Sequence, residues 1–247
     1  RAAELGVVSA IAAKQGATGP VDVFEDQSGL GQVLNDGIFD RTELEKLGEE
    51  YGIIDPGVDI KKYPVCYASH ATADAVKEIM VADGLQARDI ASLTCTVPPV
   101  VASNLTYHSP RTAAEAQFSL HFAIASIVLH GDITLKHLTT KVLSSAPIKR
   151  LMAGIIIKVG DIPQQHRSSK SICPEWGYVE LNTQCGSRKC CFVGSPLGSA
   201  SRPLSDKILK KKFNDCVQYK NSNSSEFTLY EKILNIDQLQ NAQDLFS

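Results

Sequence analysis

Residues 112–131, TAAEAQFSLHFAIASIVLHG, decide the fold that this sequence predicts. Between Phe118 and Leu129 nearly every residue is apolar, and His121 is one of the few exceptions. A helix that is apolar on every side is buried among other elements, so this segment predicts one long helix at the centre of a core. Gly131 is suited to ending it. The apolar run is shorter than the roughly 20 residues that span a bilayer, so we expect no membrane segment.

Strand signals flank the central helix on both sides. Residues 90–97, IASLTCTV, alternate apolar and polar side chains and are followed by Pro98–Pro99, which predicts a strand that ends there. After the helix, residues 151–161, LMAGIIIKVGD, predict a second strand. Residues 175–195, EWGYVELNTQCGSRKCCFVGS, predict a hairpin that turns at Cys185–Gly186–Ser187.

Helical spacing of apolar residues marks both ends of the chain and the segment before the first strand. Strands and helices therefore mix between residues 56 and 195, and helices bracket them on both sides. This arrangement predicts the α+β class, with a mixed module flanked by helices that belong to an all-α domain. The segments with helical spacing are residues 1–16, 40–51, 69–80, 135–144, 205–217 and 227–246.

The composition is that of an ordinary folded protein, with 43% apolar and 21% charged residues. Twenty-five Lys and Arg against 27 Asp and Glu give a net charge of -2. A nucleic-acid-binding protein depends on a basic excess, so we expect no nucleic-acid partner. We recognise no secretory signal, and with unpaired cysteines this predicts a cytoplasmic protein.

The seven cysteines predict neither a disulfide framework nor a zinc site. The count is odd, no CxxC pair occurs, and the six histidines do not fall at zinc-ligand spacing beside the cysteines. We therefore expect reduced, mostly buried thiols and no bound metal.

The candidate functional site begins in residues 61–76, KKYPVCYASHATADAV. Lys61 and Lys62 stand just ahead of a predicted helix that His70 opens, with Asp74 one turn later on the same face. Backbone N–H groups at a helix N-terminus favour anions, and adjacent ammonium groups add positive charge. The segment therefore predicts a site for a carboxylate or a phosphate. Two solvated lysines and a simple local His–Asp pair are the alternative.

A second loop carries groups suited to the same chemistry. Arg111 can bind a carboxylate through two parallel hydrogen bonds, and Tyr107 or His108 can move a proton. A surface turn is the alternative. Residues 194–206, GSPLGSASRPLSD, are rich in Gly and Ser but lack the Gly-Lys-Ser/Thr of a phosphate loop, so they predict a connector.

Three stretches, taken in order, resemble the MmgE/PrpD family. They are residues 61–76, residues 113–132, AAEAQFSLHFAIASIVLHGD, and residues 198–216, GSASRPLSDKILKKKFNDC. Each stretch is loosely defined alone, and the three in sequence make the resemblance specific. The family includes 2-methylcitrate dehydratases, cis-aconitate decarboxylases and an iminodisuccinate epimerase.

The resemblance implies a large helical domain, a smaller α+β lid and an active site between them. It implies that residues 1–55 are the C-terminal part of the helical domain and that residues 56–195 are the lid. Residues 196–247 would return to the helical domain. The family's Asp and His acid–base pair and a further lysine would lie upstream of Arg1, so the resemblance also implies that this chain is part of a longer protein.

The implied chemistry acts on small di- and tricarboxylates and uses no metal or organic cofactor, in a homodimer. Lys61 matches the lid lysine that reaches the substrate, and His70 matches the family's histidine, which makes both candidate catalytic residues. Cys66 stands where cis-aconitate decarboxylases have histidine, which counts against decarboxylation. The candidate substrate-binding residues are Lys62, Cys66, Tyr107, His108 and Arg111.

Proton abstraction next to a carboxylate, followed by loss of hydroxide, is the leading hypothesis. It describes a lyase similar to 2-methylcitrate dehydratase. An isomerase that returns the proton, similar to the iminodisuccinate epimerase, is the first alternative, because it needs the same cations and base. A truncated, non-catalytic paralogue that binds a carboxylate or a protein partner is the second.

Overall fold

The structure, a computed structural model, divides the chain into two compact units, Arg1–Asp55 and Pro56–Ser247. The three-part division at residues 55 and 195 stays a prediction. Arg41 and Phe246, which fall in predicted helices, lie outside the described residues. The structure describes residues 1–38, 40, 42–169, 171–219 and 226–245.

The first unit contains short helices whose apolar side chains are exposed. The predicted helix at the start is present, but Leu5, Val8 and Ile11 are each more than half exposed. The helix predicted over residues 40–51 is wrong in length, because only its first turn is helical and turns follow it. The helices are α1 (Ala2–Lys14), α2 (Leu30–Asn35) and α3 (Thr42–Glu45).

The second unit contains every strand of the described chain and most of its helices. The strands are β1 (Ile90–Val97), β2 (Ile155–Val159), β3 (Gly177–Thr183) and β4 (Arg188–Val193). The α-helices are α4 (His70–Ala82), α5 (Pro99–Asn104), α6 (Ala113–Ala116), α7 (Leu120–His130), α8 (Thr140–Leu143), α9 (Ala146–Gly154), α10 (Asp206–Tyr219) and α11 (Glu226–Leu234). Single 3-10 turns occur at Tyr67–Ser69, Ala87–Asp89, Leu135–His137, Gln164–His166, Ile236–Gln238 and Ala242–Leu245.

The four strands form one mixed sheet in the order β2-β1-β3-β4. β1 and β2 are parallel, with Leu93 opposite Ile155, whereas β3 runs antiparallel to both β1 and β4. The helices from α5 to α9 make the crossover between the two parallel strands. The mixed sheet with its helices confirms the predicted α+β class.

One helix packs directly on the sheet, and a second helix packs against the first. α4 packs on β3 and β4 and also against α7, which packs in turn against α9. Along β1, Leu93, Cys95 and Val97 are buried while their neighbours are partly exposed, because successive strand side chains point to opposite faces. The α7 residues Phe122 and Ile124 are fully buried among these side chains. None of the helices in the described ranges is both long and apolar enough to cross a membrane.

The single long helix predicted over residues 112–131 is wrong, because the chain breaks it into α6 and α7. Ser119 accepts a hydrogen bond from the backbone N–H of Phe122 at 3.1 Å and starts a new helix. Side-chain oxygens at such positions satisfy N–H groups that a helix start leaves free. The predicted end is confirmed, since Gly131 adopts a left-handed conformation with φ 68°.

The strand predicted from residue 151 begins later, at Ile155. Residues 151–154 complete α9, in which Ile148 and Met152 are buried at helical spacing. A short apolar run fits a buried helix end as well as a strand, which explains the error. Between residues 135 and 144 the predicted helix is a 3-10 turn followed by α8.

The prediction that the thiols are mostly buried is wrong. All seven cysteines are free, but Cys95 alone among them is buried. Cys190 and Cys191 are neighbours on β4, so their side chains point to opposite faces of the sheet. The exposed cysteines are Cys185, Cys190 and Cys216, and the partly exposed ones are Cys66, Cys173 and Cys191.

Candidate functional site

The lysine segment is held in place by a glycine-containing loop that follows β4. The backbone N–H of Ile60 donates to the carbonyl of Gly198 at 2.7 Å, and that of Ala200 donates to the Asp59 carboxylate at 2.8 Å. Gly198 has φ 104°, and a Cβ there would lie 2.2 Å from the Ile60 carbonyl oxygen. Only glycine therefore fits at this close approach. We call residues 195–202 the clasp loop.

Asp74, on α4, forms the centre of a buried network. One of its carboxylate oxygens accepts from the Lys62 ammonium at 2.9 Å and from the Tyr63 hydroxyl at 2.8 Å. The other oxygen accepts from the backbone N–H of Leu197, in the clasp loop, at 2.7 Å. Three charge-assisted hydrogen bonds satisfy a carboxylate that is only 3% exposed.

His70 is enclosed at the start of α4. Its ring lies 5.1 Å from the ring of Tyr63 and 5.2 Å from that of Tyr67, measured between centroids, and the residue is fully buried. Neither ring nitrogen has a hydrogen-bond partner in good geometry within the described residues, although a backbone contact at Val65 favours the charged ring. Burial lowers the pKa of His70 to about 4; Asp74 opposes this shift, and the positive charges of Lys61 and Lys62 add to it. The imidazole is therefore neutral at pH 7.

The N-terminus of α4 is not the open anion site that the sequence suggests. The 3-10 turn Tyr67–Ser69 precedes the helix, and residues 68–76 are all buried. The Ser69 hydroxyl and backbone N–H both donate to the Cys66 carbonyl. The positive charge that solvent reaches comes instead from lysine side chains.

The two neighbouring lysines have opposite surroundings. Lys62 points inward to Asp74, and its ammonium also lies 4.6 Å from the centroid of the Tyr63 ring. Lys61 is exposed, and its backbone carbonyl accepts a hydrogen bond from the Lys212 ammonium. Lys61 is thus fixed through its backbone while its side chain reaches solvent.

A small cleft opens beside this segment, between it, α10 and the turn after α7. Its lining carries the ammonium groups of Lys62, Lys211 and Lys212, with the carboxylates of Asp132 and Asp215. Lys211 lies 2.7 Å from Asp215 and 3.6 Å from Asp132. Both signs of charge therefore line the cleft, and cations outnumber anions.

The second candidate loop lies next to the first. The backbone N–H of Cys66 donates to the Gln117 carbonyl at 2.8 Å, and the Gln117 amide donates to the Pro64 carbonyl at 3.2 Å. The partly exposed Cys66 thus lies beside the end of α6, the helix that follows the second candidate loop. The structure brings together Lys62, Cys66 and His70 within one segment and joins that segment to α6.

Tyr107, His108 and Arg111 lie in the loop between α5 and α6. The backbone N–H of Tyr107 donates to the Phe118 carbonyl at 3.3 Å, and the side chain is 43% exposed. The His108 ring lies 4.8 Å from that of His121. Arg111 is exposed, and its backbone N–H donates to Glu115 at 2.7 Å. These three side chains are accessible, whereas His70 is not.

Sequence reasoning missed the partners of Asp74. It paired Asp74 with His70, whereas the carboxylate binds Lys62, Tyr63 and the Leu197 N–H. Helical spacing alone could not reveal a contact with a loop more than 120 residues away. A signal was present in the clasp loop, where Gly198 lies within a stretch already noted for its glycines and serines.

The site thus consists of an exposed Lys61 and a buried His70 on an α+β module, with a cleft nearby that is lined by lysine and aspartate residues. The model of the MmgE/PrpD C-terminal domain matches residues 63–236, more than two thirds of the chain. The chain belongs to the MmgE/PrpD family. The match covers Cys66, His70 and the second loop, and it begins just after Lys61 and Lys62. No curated protein sequence matches the chain.

Proposed function

We propose that the protein is, or forms part of, an MmgE/PrpD-type enzyme that acts on small di- or tricarboxylates. The proposed enzyme is a lyase similar to 2-methylcitrate dehydratase. The observation that carries the proposal is the exposed Lys61 side chain on a backbone held by the clasp loop, beside the buried neutral His70. A fixed ammonium binds a carboxylate and stabilises the negative charge that develops when an adjacent C–H bond loses its proton.

In the proposed reaction, a base removes the proton next to a substrate carboxylate, and the electron pair then expels hydroxide from the neighbouring carbon. The expelled hydroxide leaves as water after taking a proton from an acid. Lys61 would hold the carboxylate on which charge accumulates. His70 would support the segment and would not supply the proton, because its ring is neutral and enclosed. Arg111 and Tyr107 are proposed to contact a second carboxylate of the substrate.

The test is the Lys61→Ala variant of the full-length natural protein, assayed on 2-methylcitrate, cis-aconitate and iminodisuccinate. We expect kcat to fall by about 10²-fold, the typical effect of removing one charge-stabilising group, with an unchanged circular dichroism spectrum. Lys149→Ala, which removes an exposed lysine from α9, is the matched control. Full activity of the Lys61 variant would refute this role.

The same assay in D₂O separates the reactions that share these cations. Dehydration yields an alkene and water, whereas an epimerase exchanges the abstracted proton for deuterium and loses no group. Release of carbon dioxide would indicate decarboxylation, against which Cys66 counts. Absence of turnover and of exchange, with binding retained, would favour the non-catalytic alternative.

The proposal also includes a cytoplasmic homodimer, on the strength of the family resemblance. Light scattering should then give twice the mass of the chain. Cell fractionation should recover the protein with cytoplasmic markers. A monomer at micromolar concentration would contradict the dimer without affecting the proposed chemistry.

A further inference from the structure

Lys61 and Lys62 are adjacent in sequence, yet within the described residues only Lys62 forms an ion pair. The Lys62 side chain is 12% exposed and forms an ion pair with Asp74, whereas Lys61 is exposed. Two consecutive ammonium groups on an unconstrained loop would both reach solvent and would compete for one anion. The structure therefore gives the two lysines different surroundings, one buried in an ion pair and one exposed to solvent.

Asp74 holds the chain on both sides of the lysine pair. It binds the Lys62 ammonium and the Tyr63 hydroxyl, which lie after Lys61 in the chain. It also binds the N–H of Leu197, next to Gly198, whose carbonyl accepts from Ile60 just before Lys61. A single carboxylate therefore connects the two restraints that fix the backbone of Lys61.

We propose that Asp74 is a positioning residue that retains Lys62 inside the module and so leaves Lys61 as the ammonium of the pair that meets the substrate carboxylate. This inference rests on the proposed function, because it assumes that Lys61 binds the carboxylate. It assigns Lys62 to the architecture of the site and removes it from the substrate-binding set.

Loss of the Asp74 charge should remove the difference between Lys61 and Lys62. In Asp74→Asn, the amide oxygen can accept from the Leu197 N–H while the amide N–H donates to the Tyr63 hydroxyl oxygen, but the Lys62 ammonium loses its counter-charge inside the module. The long flexible Lys62 side chain would then turn to solvent, where its charge is hydrated. Both Lys61 and Lys62 would then present mobile ammonium groups to solvent, whereas in the natural protein Asp74 holds Lys62.

Amine labelling tests this division without any assay of activity. A limiting dose of an acetylating N-hydroxysuccinimide ester is applied at pH 7.5, and modification of each lysine is read by peptide mass spectrometry. In the natural protein we expect Lys61 to react about tenfold faster than Lys62, the factor that corresponds to an ion pair that must open first. In Asp74→Asn the two rates should become similar.

The control for labelling is Asp83→Asn. Asp83 lies at the end of α4 and pairs with Lys189 at 2.5 Å on the surface, so this variant also removes one carboxylate from an ion pair near the same helix. It should leave the ratio of Lys61 to Lys62 labelling unchanged. Equal labelling of the two lysines in the natural protein would overturn the proposal, as would continued protection of Lys62 in Asp74→Asn.

A second variant keeps the test informative if Asp74→Asn folds poorly. Lys62→Gln combined with Asp74→Asn replaces the ion pair by a neutral hydrogen-bonded pair of similar size. In the complete enzyme, Asp74→Asn should lower kcat/KM about tenfold, because the ammonium that binds the carboxylate and stabilises the developing charge is no longer positioned. The double variant should recover most of that loss.

The outcomes distinguish failure of the proposed enzymatic function from failure of the positioning role of Asp74. No turnover of any polycarboxylate by the natural enzyme would defeat the proposed function, while the labelling ratio would still report whether Asp74 divides the lysines. A loss of activity in Asp74→Asn that the double variant does not rescue, with the ratio of Lys61 to Lys62 labelling unchanged, would show that Asp74 has only a structural role and would overturn the proposal.

Discussion

His70 is a titratable group in surroundings that exclude its charged form. The ring is fully buried between two tyrosine rings, and its nitrogens have no hydrogen-bond partner in good geometry within the described chain. Burial is the main cause of its lowered pKa, which means that protonation and the native fold oppose each other. The protein should therefore be sensitive to mild acid at this one residue.

The expected pH dependence follows from the sign of that shift. The folded-state pKa of about 4 is below the unfolded value of 6.5, so the unfolded chain binds more protons between these values. The neutral ring's contribution is complete above pH 6.5 and is lost as the pH falls toward 4. Urea unfolding at pH 7 and pH 4.5 should show the natural protein losing about 2 kcal/mol more than His70→Gln, which cannot titrate. Equal losses in the two proteins would contradict the burial of a neutral His70.

Among the elements of the second unit, the clasp loop depends on a glycine where two backbones meet. Gly198→Ala would place a methyl group against the Ile60 carbonyl in an already left-handed conformation. We expect a loss of about 2–3 kcal/mol in the free energy of unfolding, measured in urea. Gly186→Ala is the control, because its φ is 86° but a Cβ there meets nothing within 4 Å, so only the conformational cost remains. Equal losses at the two positions would show that the close approach to Ile60 does not matter.

The break between α6 and α7 is a second feature at this scale. Ser119 is 1% exposed and caps α7 through its hydroxyl, so Ser119→Ala should lower the free energy of unfolding by about 1–2 kcal/mol. Ser103, whose hydroxyl bonds to a nearby carbonyl on the exposed side of α5, provides the control. A change below 0.5 kcal/mol at Ser119 would mean that the cap does not maintain the break.

The elements also show what the sequence could predict. β1 was predicted with its observed ends because its alternation and Pro98 are local signals, and the hairpin of β3 and β4 follows from the same kind of pattern. The prediction of one long helix over residues 112–131 was wrong, because the apolar composition of a segment does not show that a hydroxyl such as that of Ser119 starts a new helix within it. The pairing of Asp74 with Lys62 and the clasp loop could not be predicted, since it joins residues far apart in sequence.

At the scale of the whole molecule, the hydrophobic core lies entirely within the second unit. Its buried apolar cluster runs from Tyr63 to Val193, and α1 of the first unit has no buried residue. Residues 56–247 expressed alone should therefore unfold cooperatively, with a Tm within a few degrees of that of the 247-residue chain. Calorimetry of both chains is the measurement, and loss of a cooperative transition in the shorter one would show that the first unit is needed for the fold.

The clasp loop has a consequence for the order of events during synthesis. Asp59 bonds to Ala200 across 141 positions, and Asp74 bonds to Leu197 across 123. Closing such long intervals costs chain entropy and makes these contacts late steps in folding. A ribosome-bound chain that has emerged only as far as β4 would already contain Lys61 and Lys62. The clasp loop that restrains their backbone would still be missing. The proposed ability to select an anion would then appear only after residues 197–200 have left the ribosome.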